Sequence, residues 1–349
     1  MNPNASPQDI ENVENVIESA GYTVHPIYGT NLTVLAAVGD ERGKENLHDR
    51  LLSQPGVDQV EFILPPYKLA SREMNKGIVR PDSVFTVNID WAEGKEQINI
   101  GGDELVVMAG PCSVESHDQI MESARIVKQN GAKVLRGGAF KPRTSPYSFQ
   151  GLEEEGLKLL AEARKQYGLA IVTELMDAHH LEVVDRYADI IQIGARNMQN
   201  FMLLKAVGRS NRPILLKRGM AATLDELLMS AEYIISHGNN QVFLCERGIR
   251  TFETKYRNTL DLNAVPMLRK LSHLPVVLDP SHGTGKVELV PAMAKASVAA
   301  GAQALMIEMH PRPAEAWSDG AQSLDEAGFV ELMKQIKPIA EATGKHVSW

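Results

Sequence analysis

The stretch ELVVMAGPCSVES, residues 104–116, decides how the rest of the chain is read. A short apolar run ends in glycine, proline and cysteine, and a helical pattern begins directly behind it. The same figure returns at AKVLRGG (132–138), LAIVTEL (169–175), DIIQIGA (189–195), PILLKRG (213–219), QVFLCER (241–247), PVVLDPS (275–281) and ALMIEMH (304–310). Near-continuous Val/Ile/Leu runs suit strands buried on both faces, as in a parallel sheet. Helical patterns lie between them at 117–130, 152–167, 179–187, 200–208, 223–237, 260–271 and 286–300, with a last one at 326–342. Strict alternation of eight strands with eight helices predicts a (β/α)8 TIM barrel. The alternative is a doubly wound open sheet, which usually opens on a Gly-rich phosphate turn, whereas this first run ends in AGPCSVES. EQINIGG (96–102) is expected as an extra strand capping the barrel base.

Upstream, residues 1–70 read as a small α+β unit. QDIENVENVIESA (8–20) puts Ile10, Val13, Val16, Ile17 and Ala20 at helical spacing, and Gly21 stops the helix. YTVHPIY and LTVLAAVG follow as strands around a turn at Gly29 to Asn31. A second helix is expected over 43–53, and DQVEFIL after Pro55-Gly56 reads as a third strand. Helix, strand, strand, helix, strand suits a ferredoxin-like sandwich. PPYKLASREMNKGIVRPDSVF (65–85) is rich in proline and charge and reads as a linker; residues 71–95 are accordingly expected as the connection, which leaves 96–349 for the barrel.

Composition narrows the function classes. Of 349 residues, 44% are hydrophobic and 23% charged, as in an ordinary soluble globular protein. The formal net charge of −8 disfavours nucleic acid and acidic membranes as partners. No apolar run approaches the roughly 20 residues that span a bilayer, and MNPNASPQDIENVENV lacks the pattern of a secretory signal. Two cysteines, Cys112 and Cys245, give no disulfide framework and fit a cytoplasmic location.

Active sites of such barrels form at the C-terminal ends of the strands. Nearly every run here ends in a charged or metal-binding group: Cys112, then Arg136 with Lys141 and Arg143, Glu174, Arg196, Lys217 with Arg218, Glu246 with Arg247, Asp279 with His282, and Glu308 with His310. A single strand-end charge is usually a solvated rim group; repetition on successive strands is not. The set divides in two. Arg136, Lys141, Arg143, Arg196, Lys217 and Arg247, clustered on an acidic protein, imply a ligand with several negative charges, either two phosphorylated substrates or a phosphate and a carboxylate. Cys112, His282 and Glu308, with Asp319 in SDGAQSL, offer one sulfur, one nitrogen and two carboxylates. That mixture suits Mn, Fe, Co or Zn rather than Mg or Ca. The bland alternatives are a packed cysteine, a histidine bonded to a carbonyl and an aspartate capping a turn. Packing is the reading taken for Cys245. GTGK (283–286) lacks the spacing of a Walker motif but stands where a phosphate could be touched. His179-His180 is expected to open a helix on the rim.

GPCSVES, LRGGAFKPRTSPYSFQGL, IQIGARNMQNF, LLKRG, LCERGIRTF, DPSHGTG and SDGAQSL together resemble 3-deoxy-D-arabino-heptulosonate 7-phosphate (DAHP) synthases of type I, Iβ branch, across the whole barrel in order. The front part resembles the ferredoxin-like (ACT-like) regulatory extension some members carry. The resemblance implies a metal-dependent transferase that joins phosphoenolpyruvate to erythrose 4-phosphate, the first step of the shikimate pathway. It implies Cys112, His282, Glu308 and Asp319 as metal ligands, and Arg136, Lys141, Arg196, Lys217 and Arg247 as phosphoenolpyruvate contacts. Arg143 and Thr144 in KPRTS match the sugar-phosphate contacts, with Asp279 beside the sugar hydroxyls. Lys141 and Glu174 are candidate proton handlers for the water step. A homotetramer and feedback inhibition by tyrosine or phenylalanine are implied as well. His25 sits where related extensions carry a histidine, although Pro26 and Ile27 replace more polar residues.

The nearest rival is 3-deoxy-D-manno-octulosonate 8-phosphate synthase, which uses arabinose 5-phosphate and typically reads KANRS where this chain reads KPRTS at 141–145. A barrel that only senses a phosphorylated ligand is the rival from another class; the metal set argues against it. For residues 1–70 the alternative to regulation is a role in oligomer contacts alone.

Overall fold

The computed structural model describes the chain apart from residues 29–32, 40–42, 62–65, 75–77, 142–144 and 146. It divides into two compact units, Met1–Pro65 and Pro66–Trp349.

In the first unit, α1 (Pro7–Ser19) starts at a capping box: the Ser6 hydroxyl accepts from Asp9 N, and the Asp9 carboxylate accepts from Ser6 N. Its apolar stripe buries Val13 and Ile17 against Leu47 and Leu51 of α2 (Lys44–Leu52) and against Tyr22. Strands β1 (Thr23–Tyr28) and β2 (Thr33–Val38) pair antiparallel. The third strand expected at DQVEFIL departs from this. Described residues 58–61 join no ladder, and the rest of that stretch lies outside the described residues. Val57 and Val60 still pack on the core of this unit, so apolar spacing set which side chains turn inward without supplying a pairing edge.

In the second unit, a short ladder of β3 (Glu73–Met74) and β4 (Ile78–Val79) precedes a hairpin of β5 (Phe85–Trp91) and β6 (Gly94–Ile100). Part of the stretch expected to be a linker is therefore strand. Eight parallel strands then close a barrel: β7 (Val106–Gly110), β8 (Val134–Arg136), β9 (Ala170–Glu174), β10 (Ile190–Ile193), β11 (Ile214–Lys217), β12 (Val242–Glu246), β13 (Val276–Leu278) and β14 (Ala304–Glu308), with β14 pairing back to β7. Alternation along each strand splits its side chains between two layers. Val106, Met108, Val172, Leu215, Phe243, Cys245, Val277 and Met306 fill the barrel, and Val87, Ile89, Ile98 and Ile100 of the hairpin plug its base. Val107, Leu135, Ile171, Ile191, Leu216, Leu244, Leu278 and Ile307 pack outward into the core beneath the helices. Cys245 is a fully buried core residue whose thiol pKa is pushed up by that burial.

The helices follow the expected order, among them α3 (His117–Gln129), α4 (Glu153–Tyr167), α5 (Leu181–Tyr187), α6 (Phe201–Val207), α7 (Leu224–Ile235), α8 (Ala264–Leu271), a one-turn α9 (Pro280–Thr284), α10 (Val290–Ala299) and α11 (Glu326–Ala342). α8 begins later than the pattern at 260 because Thr259 pairs across to Ile249, which keeps that part of the loop extended. His179-His180 forms a 3-10 turn leading into α5. None of the described helices is long and apolar enough to cross a membrane.

Candidate active site

The strand ends converge on one cleft, lined by Arg136, Lys141, Glu174, Gln192, Arg196, Lys217, Met220, Arg247, Arg257, His282, Ser318 and Asp319 among others. Six of these side chains carry guanidinium or ammonium groups, so the mouth is cationic on a chain of net charge −8.

The first two strands meet closely. Gly110 ends β7 at φ 148°, and a Cβ there would run into the carbonyl oxygen of Arg136, so only glycine lets β7 and β8 approach this way. Arg136 is buried; it donates to Pro111 O at 3.1 Å and to Glu308 Oε1 at 2.5 Å. Burial is the largest single influence and works against its charge, but Glu308, Cys112 and Asp279 together outweigh it and raise the pKa. Lys141, also buried, donates to Cys112 O at 2.9 Å and to Cys112 Sγ at 3.0 Å. Glu174 ends β9 and accepts from Gln192 Nε2 at 3.3 Å; a Cβ on Gly194 would collide with its carboxylate. Arg196 stands exposed in the turn after β10. Lys217 ends β11 and donates to Asp279 Oδ2 at 2.6 Å. Arg247 is buried, and that burial lowers its pKa.

Cys112, Glu308 and Asp319 form the one group of potential metal-holding side chains among the described residues, with donor atoms within 4.8 Å of one another. Cys112 Sγ lies 3.2 Å from Asp319 Oδ2, and His282 Nε2 lies 3.4 Å from Glu308 Oε1. His282 Nδ1 is 2.7 Å from Asp279 Oδ2, yet the two are not aligned as a hydrogen bond, and this buried nitrogen has no other partner among the described residues. Burial raises the pKa of the Cys112 thiol, against the pull of Lys141. Burial pushes Asp279 and Glu308 upward too, but His282 with Lys217, and His282 with Arg136, hold both carboxyls low. For His282 burial wins and lowers the pKa, which favours the neutral ring that a metal needs. Asp319 adopts a left-handed backbone, φ 52°, rare for a residue other than glycine. Cys112, Glu308 and Asp319 thus bring one sulfur and two carboxylates together, and His282 Nε2 adds a nitrogen beside Glu308 without joining that group; such a mixture fits a divalent transition ion.

Not every strand-end charge enters the cleft. Arg218 turns away and donates to Glu246 Oε2 at 2.8 Å and Asp261 Oδ2 at 2.9 Å. Asp279 sits fully buried behind Lys217 and His282. In GTGK the chain forms the end of α9 and a left-handed Gly285, and Lys286 is not among the lining residues. Arg143 and Thr144 lie outside the described residues. His25 is exposed on β1 of the first unit. Sequence reading missed Gln192 and Arg257. Arg257 reaches Gln322 Oε1 at 3.0 Å and Asp319 at 3.6 Å from a loop position well past its strand end. Gln192 lies inside β10, where its polarity within DIIQIGA was the available signal.

Residues 84–343 match the DAHP synthetase I family, and residues 1–64 match the DAHP synthase ferredoxin-like domain. The chain belongs to the DAHP synthetase I family of enzymes. Over 348 residues it is 46% identical to the phospho-2-dehydro-3-deoxyheptonate aldolase of Thermotoga maritima, covering 100% of this chain and 99% of that one. The crystal structure of the Thermotoga maritima DAHP synthase superposes with a TM-score of 0.85 at 47% identity, covering 99% of this chain and 97% of the other. A truncated form of the Thermotoga enzyme covers 80% of this chain with a TM-score of 0.70. The 2-dehydro-3-deoxyphosphooctonate aldolase of Protochlamydia amoebophila is 31% identical over 262 residues, 70% of this chain and 94% of its own. Within the DAHP synthetase I family the present chain thus pairs the barrel with the ferredoxin-like front unit.

Proposed function

We propose that this protein is a cytoplasmic DAHP synthase that condenses phosphoenolpyruvate with D-erythrose 4-phosphate and water, releasing inorganic phosphate. The observation that carries this reading is a six-cation cleft directly beside the Cys112, Glu308 and Asp319 group, with His282 next to Glu308, in a chain that matches the Thermotoga heptonate aldolase end to end.

Arg136, Lys141, Arg196, Lys217 and Arg247 are assigned to the phosphate and carboxylate of phosphoenolpyruvate, and Arg143, Thr144 and Asp279 to the sugar. With Nδ1 of His282 turned to Asp279 at 2.7 Å, Nε2 faces Glu308 and is the nitrogen we assign as donor for a cation. Cys112, His282, Glu308 and Asp319 would hold an ion of Mn, Fe, Co or Zn, which would supply a Lewis acid for the aldehyde oxygen. The substrate carbon–carbon bond forms between C3 of phosphoenolpyruvate and the aldehyde carbon. Water then adds at C2, and the C2–O bond to phosphate breaks. The proton of that water is assigned to Glu174, which accepts from Gln192. Lys141, whose Nζ lies 3.0 Å from Cys112 Sγ, is assigned to the same water step as the second proton handler. The buried cations hold both substrates in register without reorganising, which lowers the barrier through orientation and fixed charge.

For the front unit the reading is feedback inhibition by tyrosine or phenylalanine, with His25 as a contact, in a homotetramer. A calorimetric titration with no heat from either amino acid would count against it.

The second reading is the octulosonate reaction, which the 31%-identical Protochlamydia relative favours. Phosphate release from phosphoenolpyruvate with erythrose 4-phosphate or arabinose 5-phosphate separates the two. Release with the four-carbon sugar alone is expected; release with the five-carbon sugar alone would transfer the chain to the octulosonate reaction.

A further inference from the structure

Glu115 lies between β7 and α3 and is 8% exposed. It does not line the cleft. Its two carboxylate oxygens each meet a separate donor. Oε1 accepts from the backbone N–H of Trp317 at 2.8 Å, and Oε2 lies 3.3 Å from Nε2 of His310. His310 is buried just past β14, and its Nδ1 accepts from the backbone N–H of Arg312 at 3.0 Å. The ring proton therefore belongs on Nε2, aimed at Glu115. Trp317 stands two residues before Asp319, whose left-handed backbone persists only where its surroundings impose it.

We propose that Glu115 and His310 are positioning residues that clamp the Trp317–Asp319 segment, so that the Asp319 carboxylate stays beside Cys112 Sγ. The inference rests on the metal reading above. It assigns a role to a pair that touches neither the cleft nor the donor set.

Two donors converge on this position, so a side chain with two acceptors is required. Glutamine has the same shape but one acceptor: its amide nitrogen must face either the Trp317 N–H or the His310 Nε2–H. The clamp acts through the backbone amide of Trp317, whereas the indole packs edge-on against Phe149 with ring centroids 4.8 Å apart. Removing the indole therefore leaves the clamp in place. At position 310, glutamine can still donate to Glu115, and phenylalanine cannot.

The test is manganese binding to the metal-free full chain, followed by electron paramagnetic resonance of the free ion, for wild type, Glu115→Gln, His310→Phe, His310→Gln and Trp317→Ala. Thermal unfolding without metal serves as the folding control. Loss of a group that orients a ligand typically weakens metal binding by about 10–100-fold. That loss is expected for Glu115→Gln and His310→Phe, with His310→Gln and Trp317→Ala within about threefold of wild type on the same scale. If Glu115→Gln does not fold, the two His310 variants decide the matter by themselves. Wild-type protein that binds no manganese would remove the metal reading itself. Wild-type protein that binds, with Glu115→Gln and His310→Phe binding equally well, would overturn the clamp.

Discussion

Arg218→Met should destabilise the barrel unit in a way that depends on pH. Arg218 is the partner that keeps two carboxylates inside: it reaches Glu246, which is fully buried, and Asp261, whose side chain is 21% exposed. Methionine preserves the stem and removes the charge. Removing one partner of a buried pair costs about 3–5 kcal/mol, because the other charge is left uncompensated. Unfolding entropies of about 2 cal/mol/K per residue imply a fall in Tm of roughly 5–8 °C for a unit of this size. Burial already raises the pKa of Glu246, and Arg218 is the chief group opposing it. Without Arg218 that pKa climbs further above its unfolded value. A carboxyl whose folded pKa is raised stabilises the fold fully at low pH, and that contribution is lost as the pH rises through the folded pKa. The deficit of Arg218→Met against wild type should therefore be largest at pH 8 and shrink towards pH 5. Calorimetric melts of both proteins at the two pH values measure it. An equal deficit at both, or none, would refute the assignment of Arg218 and Glu246 to a buried pair that frames the cleft.

Gly110→Ala should abolish soluble protein or lower Tm sharply, since its Cβ meets the backbone of Arg136 rather than a movable side chain; an unchanged melt would contradict the close β7–β8 approach. Lys217→Met should raise the KM for phosphoenolpyruvate by more than about 10-fold, because a charge-assisted contact to an anion is lost and Asp279 is left without its cation; steady-state kinetics at saturating sugar would show it. Cys112→Ala should weaken manganese binding by at least about 10-fold in equilibrium dialysis.

Much of this was legible in the sequence, for a physical reason. Strands buried on both faces must be nearly all apolar, so the eight runs stood out and their order gave the barrel. Their C-terminal ends then supplied the cleft. What could not be read there is which of two adjacent charges turns inward. Successive strand residues point to opposite sides, so Lys217 reaches the cleft while Arg218 leaves it, and Glu246 stays behind while Arg247 enters. Arg257 escaped because a long loop, not a strand, brings it to the mouth. At 58–61 only Val60 is apolar; it packs on the core of the front unit, but a strand also needs a paired edge, which no local pattern encodes.

The most direct test of the central claim is phosphate release from phosphoenolpyruvate and erythrose 4-phosphate by protein stripped with a chelator and then resupplied with manganese. Loss of release on stripping, with recovery on adding the ion in wild type but not in Cys112→Ala, is the predicted result. Full release from stripped protein would contradict a metal-assisted condensation at this cleft.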